Sequence, residues 1–243
     1  MSRRIIGAVA APLPRLLLFA RAPVAGRVKT RLAPALGAEA AGSLYRAFLE
    51  DAARAYRGRG RWDSVLCAEG DPSDPELSAI FAGEWRRRRQ AEGDLGRRLS
   101  EAFDTEFRDG AIACAAVGSD HPSLPSSRLS ELFAALRDGF QAAVVPAEDG
   151  GYCAIGLRAD VSPAAIFTGI AWSTAEVLRQ TLRRLDDSGL RYRLLEPGYD
   201  VDRPEDLARL RRDLASRNRD AEDYPAATAR ALAGLEAFAG RRA

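Results

Sequence analysis

Apolar positions along this chain follow two periodicities that alternate from one end to the other. Leu16, Leu17, Leu18 and Phe19 form an unbroken run that stops at Ala22-Pro23, as a strand buried on both faces does. Just after Gly37 the pattern changes. Over residues 38–57 the apolar residues Leu44, Ala47, Phe48, Ala52 and Tyr56 recur at the spacing of an amphipathic helix. The same pair of signals then repeats. Strands are predicted over residues 63–68, 111–117, 140–146, 152–156 and 192–195. Helices are predicted as a short segment ending at Ala82, then over residues 94–107, 127–137, 173–185 and 204–214. Ser126 or Ser127 is the expected cap of the third of these, and Ser173 or Thr174 of the fourth. Pro204 suits the first turn of the last. An Ala-rich helix is expected beyond Asn218. Residues 85–90 read WRRRRQ, a solvated face or edge strand in preference to a nucleic-acid site.

Strands alternating with helices predict an α/β chain. The fold class expected is a three-layer α/β/α sandwich around a mostly parallel, Rossmann-like mixed sheet covered on both faces. No repeat or central linker divides it, so residues 15–217 read as one domain, with an extension over 1–14 and a helical tail over 218–243. Ligands of such sheets sit at the carboxyl ends of the strands, which directs attention to the loops there.

Composition narrows the reading only a little. The 243 residues are 47% hydrophobic and 29% charged, with a net charge of +2. No global field draws nucleic acid, and basic chemistry must be local. Cys67, Cys114 and Cys153 are odd in number, far apart and without CxxC spacing. That argues against a disulfide framework or a zinc site and suits a reducing, cytoplasmic setting. Cys153 falls near the candidate site, where a buried structural thiol is the expected role. No apolar stretch is long enough to span a membrane. Residues 2–14 faintly resemble a signal peptide, yet pass into the first strand without a cleavage region.

The loop after the first strand carries Arg21, Gly26, Arg27, Lys29, Thr30 and Arg31. A buried strand, a Gly-containing basic loop and then a helix is how α/β proteins hold phosphate groups. Of the 36 lysines and arginines, Lys29 alone is a lysine. A compact ammonium is therefore wanted where a planar guanidinium is used everywhere else.

Three acidic features fall past strand ends: Asp120, Glu148-Asp149, and Asp200-Val201-Asp202. Asp120 lies between Ser119 and His121-Pro122, and His121 is the only histidine. Oxygen ligands of this kind suit Mg²⁺, which takes one or two carboxylates and completes its shell with water and substrate phosphates. Asp149-Gly150-Gly151-Tyr152 and Trp172 are candidates for contacting an acceptor. Arg97, at the start of a helix, is a candidate for reaching a nucleotide.

The segments FARAPVAGRVKTRL, GSDHP, PAEDGGYCAIGL, FTGIAWST and YDVDRPEDL, in that order, resemble the nucleotide-diphospho-sugar transferase superfamily with its GT-A fold. They look most like a bacterial group labelled arsenosugar-biosynthesis-type glycosyltransferases. The resemblance spans roughly residues 15–215. The nucleotidyltransferase branch of that superfamily includes CMP-Kdo synthetases and the molybdenum-cofactor and phospholactate guanylyltransferases. What the resemblance implies is a Mg²⁺ (or Mn²⁺) site with Asp120 as first ligand and Asp202 as second, Asp200 being the runner-up. It also implies Arg27, Lys29 and Arg31 on the phosphates of an NTP or NDP-sugar, with a small-molecule acceptor nearby. Lys29, Asp120 and Asp149 are the catalytic candidates, Asp149 as a base in the glycosyl-transfer version. Two departures stand out: the first loop lacks a GxGxR start, and GSDHP lacks the DxD of typical GT-A glycosyltransferases. The expected reaction is nucleotidyl transfer with release of pyrophosphate. Glycosyl transfer is the alternative, and a non-catalytic nucleotide sensor is the third reading. A homodimer is an open expectation.

Overall fold

The computed structural model describes residues 12–239, so most of the extension expected over 1–14 lies outside the described residues. The Leu-rich run becomes β1 (Arg15–Arg21), the middle strand of the parallel half of a seven-stranded sheet. Parallel to it on either side run β2 (Asp63–Glu69) and β4 (Ala113–Gly118). β3 (Arg86–Arg89) adds to β2 at one edge. Beyond β4, β6 (Tyr152–Arg158) is antiparallel to both β4 and β5 (Ala142–Pro146). β7 (Tyr192–Leu194) closes the other edge, parallel to β5. The spatial order is β3-β2-β1-β4-β6-β5-β7. This is the mostly parallel, mixed sheet expected.

Strand pleating sends alternate residues of β1 to opposite faces, and each face has its own core. Leu16 and Leu18 pack with α2 (Ala38–Ala55), α5 (Ser126–Arg137), α8 (Pro204–Ser216) and α9 (Ala226–Ala239). Leu17 packs with α4 (Leu95–Arg108), α6 (Pro163–Phe167) and α7 (Val177–Asp187) through Leu99, Phe103, Phe167 and Leu185. The remaining helices, α1 (Ala33–Leu36) and α3 (Pro75–Ile80), follow β1 and β2. The Ala-rich helix expected near the C-terminus is α9, and it docks on α2. The buried Asp51 carboxylate of α2 accepts from the backbone N–H groups of Ala227 (3.0 Å) and Thr228 (2.7 Å), satisfying the first turn of α9.

Several boundaries differ from those expected, each for a local reason. α1 and α6 are four and five residues long, too short to impose a periodicity. The helix expected from residue 173 begins at Val177. Ser173 sits at φ 64°, a left-handed conformation no helix admits, and the Thr174 hydroxyl accepts from Glu176 N (3.2 Å) outside the helix. α5 starts at Ser126 with no hydroxyl cap; the Ser126 N–H is bound instead by Asp223 (2.8 Å). The strand expected from residue 140 begins at Ala142, because Phe140 N closes the end of α5 on Ala135 O (3.1 Å). The arginine run is an edge strand, and Arg86 and Arg88 turn back onto the buried Glu106, which Arg15 also contacts.

Candidate phosphate and metal site

The site lies where the chain order of the sheet reverses, between the carboxyl ends of β1 and β4, as expected for an open α/β sheet. Past β1 the loop turns so that Lys29 adopts φ 47°. That conformation is uncommon for a residue with a side chain and is held only where the surroundings impose it. Here it turns Lys29 inward. The residue is 9% exposed, and its Nζ lies 5.9 Å from the Tyr45 ring centroid and 5.6 Å from that of Phe48.

The ammonium meets two carboxylates, one from the middle of the sequence and one from its last fifth. Nζ lies 2.5 Å from Asp120 Oδ1 and donates to Asp202 Oδ1 at 2.8 Å. Burial alone would lower the Lys29 pKa, but the charges and hydrogen bonds of Asp120 and Asp202 outweigh it and hold it above the ordinary lysine value. The carboxylates themselves open to solvent, with side chains 42% and 38% exposed. One buried cation thus presents two half-exposed anions to the sheet edge.

Neighbouring groups set the positions of these three. Asp206, in the first turn of α8, accepts from the backbone N–H of Asp202 (2.9 Å) and of Arg203 (2.7 Å). Val201 N donates to Asp120 O (3.0 Å), joining the two acidic loops. Tyr45 OH and Ser119 Oγ share a hydrogen bond of 2.8 Å beneath them. Burial, with the Asp120 charge, pushes the Tyr45 phenol up. Neither Tyr45 nor Asp206 was a candidate from the sequence, although Asp206 stands where a helix takes its N-terminal acidic residue.

The other sequence candidates distribute unevenly. Arg31 approaches Asp202 Oδ2 at 3.9 Å, and Gly26, Arg27 and Thr30 are exposed on the same loop. Arg21 is drawn aside, its guanidinium 2.8 Å from Glu69. Arg97 lies exposed in the first turn of α4, where its backbone N–H is capped by Asp94 (2.8 Å).

The acceptor candidates are turned to structural tasks. Asp149 Oδ1 accepts from Gly151 N (2.9 Å) within its own turn, and Glu148 is held by the two terminal guanidinium nitrogens of Arg209 (2.5 and 2.7 Å). Gly150 is at φ +91°, and a Cβ there would overlap the Ala175 carbonyl. Its close approach is therefore to this chain's own backbone. The Tyr152 hydroxyl is buried, and its ring meets Trp172 edge-on at 6.3 Å. Trp172 Nε1 lies against Gly96 at the start of α4. Asp200 does not share Lys29 with Asp202; its Oδ1 lies 3.2 Å from His121 Nδ1.

Oxygen donors from Asp120 and Asp202 converging on one cationic position are a donor set that fits Mg²⁺ or Mn²⁺, and the ammonium marks where positive charge is stabilised.

The family described as "Uncharacterized protein conserved in bacteria (DUF2064)" matches residues 52–174, half of the chain. The chain is a member of DUF2064. Among solved structures, a candidate nucleotide-diphospho-sugar transferase from Desulfovibrio desulfuricans G20 is 30% identical to this DUF2064 protein. The match covers 93% of this chain and 97% of that one, with a TM-score of 0.81. A cytidylyltransferase from Leptospira borgpetersenii is 11% identical over 95% of each chain, with a TM-score of 0.55. A CMP-2-keto-3-deoxy-manno-octonic acid synthetase complexed with CTP is 15% identical, covering 84% of this chain and 98% of its own, with a TM-score of 0.50. The fold is that of the nucleotide-diphospho-sugar transferases. No curated protein matches the sequence.

Proposed function

We propose that this DUF2064 protein is a divalent-cation-dependent nucleotidyltransferase. The observation that carries the reading is the Lys29 ammonium held jointly by Asp120 and Asp202 at the strand ends, with Arg27 and Arg31 exposed on the adjoining loop. In this reading Lys29, Arg27 and Arg31 bind the phosphates of an NTP, and Asp120 and Asp202 hold Mg²⁺ or Mn²⁺. The ion, when bound, supplies Lewis-acid neutralisation of phosphate charge.

The residues contribute binding and orientation. Asp206 fixes the backbone that presents Asp202, and the Tyr45–Ser119 hydrogen bond supports the end of β4 that presents Asp120. Lys29 moves from carboxylate to phosphate contacts as the nucleotide enters, so its charge stays compensated throughout. An acceptor phosphate oxygen, already an anion, then forms its bond to the α-phosphorus as the bond to the bridging oxygen breaks, and pyrophosphate leaves; a hydroxyl acceptor would give its proton to solvent. Positive charge on the loop stabilises that leaving group. Asp149, the base in the glycosyl-transfer version, accepts from Gly151 N through Oδ1 and closes its own turn.

Glycosyl transfer from an NDP-sugar is the second reading. What favours it is the 30% identity to the Desulfovibrio protein, described as a candidate transferase of that type. The same phosphate and metal residues would serve.

Thermal melting with NTPs, NDPs and NDP-sugars, each with and without Mg²⁺, separates the two, because a ligand bound only by the native state raises the melting temperature. A Mg²⁺-dependent shift with one NTP, and pyrophosphate as product, is the expected result. A shift confined to NDP-sugars and NDPs transfers the case to glycosyl transfer. No shift with any of them overturns the site.

A further inference from the structure

Asp200, which faces away from Lys29, belongs to a second cluster below the first. One donor atom each from His121, Cys153 and Asp200 lies within 4.8 Å of the others. The three come from separate places: the loop after β4, the second residue of β6, and the loop before α8. His121 and Cys153 are buried, at 6% and 1% exposure.

Several details are odd for a cluster whose task is only packing. Asp200 Oδ1 is buried and lies 3.2 Å from His121 Nδ1. Nδ1 also stands 3.3 Å from the Tyr199 carbonyl. The Cys153 thiol lies 3.7 Å from the Pro146 carbonyl and beside the His121 ring. Two glycines make the space. A Cβ at Gly118 would come within 2.9 Å of His121 Nε2, and one at Gly198 within 2.7 Å of Cys153 Sγ. Neither glycine has a positive φ, so what each supplies is room for a donor side chain.

We propose that His121, Cys153 and Asp200 form a binding site for a transition-metal ion of the zinc class, distinct from the all-oxygen pair Asp120 and Asp202. Imidazole nitrogen, thiolate and carboxylate are the ligand types this ion takes. Three protein ligands leave a fourth position for water or another ligand. Metal–ligand bonds of about 2.0–2.3 Å set tetrahedral donors roughly 3.3–3.8 Å apart, so no pair within 4.8 Å needs to close by more than about 1.5 Å on binding. The charges balance. Cys153 releases its thiol proton and His121 its imidazolium proton, both to solvent, as the metal bonds form, and Asp200 binds as its anion. A dication then meets two negative ligands, leaving the buried site neutral, the condition under which burial of charge is least costly. The ion would also tie the loop bearing Asp120 to the loop bearing Asp202. CxxC spacing plays no part, which is why the site does not show in the cysteine arithmetic of the sequence.

The test is a Co²⁺ titration of the full chain after EDTA treatment and dialysis. The wild type is expected to bind one equivalent and to develop a thiolate-to-cobalt charge-transfer band in the near ultraviolet, reversed by Zn²⁺. Cys153→Ser should lose the band, and His121→Gln or Asp200→Asn should weaken Co²⁺ binding by more than about 10-fold. Asp120→Asn should keep the band, because that residue belongs to the other pair. The wild-type measurement decides the matter even if a variant fails to fold. No thiolate band in the wild type at saturating Co²⁺, or an undiminished band in folded Cys153→Ser, overturns the proposal.

Discussion

Replacing Lys29 with methionine removes the ammonium and leaves an unbranched chain in the channel beside Tyr45 and Phe48. Taking one member from a fully buried ion pair costs about 3–5 kcal/mol, whereas an exposed pair is worth about 0–1 kcal/mol. This cluster stands between those limits: the lysine side chain is 3% exposed, but its partners Asp120 and Asp202 are 42% and 38% exposed and keep water when it goes. The expected loss of stability is about 1–2 kcal/mol, or roughly 2–8 °C in melting temperature for a chain of this size. The functional loss should be larger. A hydrogen bond from a charged group contributes about 1.5–3 kcal/mol, so nucleotide affinity should fall roughly 10- to 150-fold. Metal binding should move the other way in the absence of nucleotide, since Mg²⁺ no longer competes with an internal cation for the two carboxylates. Isothermal titration of wild type and Lys29→Met, with Mg²⁺ alone and with nucleotide plus Mg²⁺, reads both changes. Nucleotide affinity within about twofold of wild type in a folded variant would refute the role of Lys29. Unchanged Mg²⁺ affinity would refute the competition.

Three further outcomes are expected. Gly150→Ala forces a side chain into a left-handed turn and against the Ala175 carbonyl, and should destabilise by about 2–4 kcal/mol in denaturant melts. A wild-type midpoint would show that the turn relaxes freely. Asp51→Ala removes both acceptors from the first turn of α9 and should cost about 1–2 kcal/mol, with faster proteolysis near the C-terminus; equal cleavage rates would contradict the cap. In metal-free protein the His121–Asp200 pair should make stability pH-dependent. Burial lowers the His121 pKa, but Cys153 and Asp200 raise it well above 6.5. Its contribution is thus complete below pH 6.5 and fades as pH climbs through the folded value. Burial raises the Asp200 pKa, and His121 more than reverses this, bringing it below 3.8. That contribution is present above pH 3.8 and fades only as pH falls through the lower folded value. The melting temperatures of wild type and His121→Asn should therefore converge as pH rises above 6.5 and passes through the folded value; a constant gap would dismiss the pair.

Periodicity carried most of the fold. β1, β2, α2, α4 and β4 all lie within a few residues of their expected positions, because each buries a long, regular apolar face. Short elements were lost: α1 and α6 make fewer than two turns, and the start of α7 depends on the backbone angle at Ser173, which no hydropathy pattern encodes. The candidate site divides in the same way. Lys29 was visible as the single lysine, and Asp120 and Asp202 as carboxylates after strand ends. That one ammonium holds both is a three-dimensional fact. Asp149, Gly150, Tyr152 and Trp172 looked like ligand contacts because Gly-Gly turns and a partly exposed Trp serve ligands and loop packing alike. The thiol of Cys153 was read as inert because its partners His121 and Asp200 lie 32 and 47 residues away along the chain.

The arginine edge strand has a consequence for what this border of the sheet offers to other chains. An edge strand offers unpaired backbone groups to any other extended chain. In β3, Arg86 and Arg88 fold to one face, onto Glu106 and Asp109, while Arg87 folds to the other, onto Ser78 and the Phe81 carbonyl. A strand arriving from another molecule would have to lie beside guanidinium groups on both faces. The buried Glu106 is the anchor on which that guard depends. Its loss would therefore reach beyond local packing: the edge would keep its hydrogen-bonding capacity but lose the ordered charge that screens it, turning a guarded border into a template for self-association.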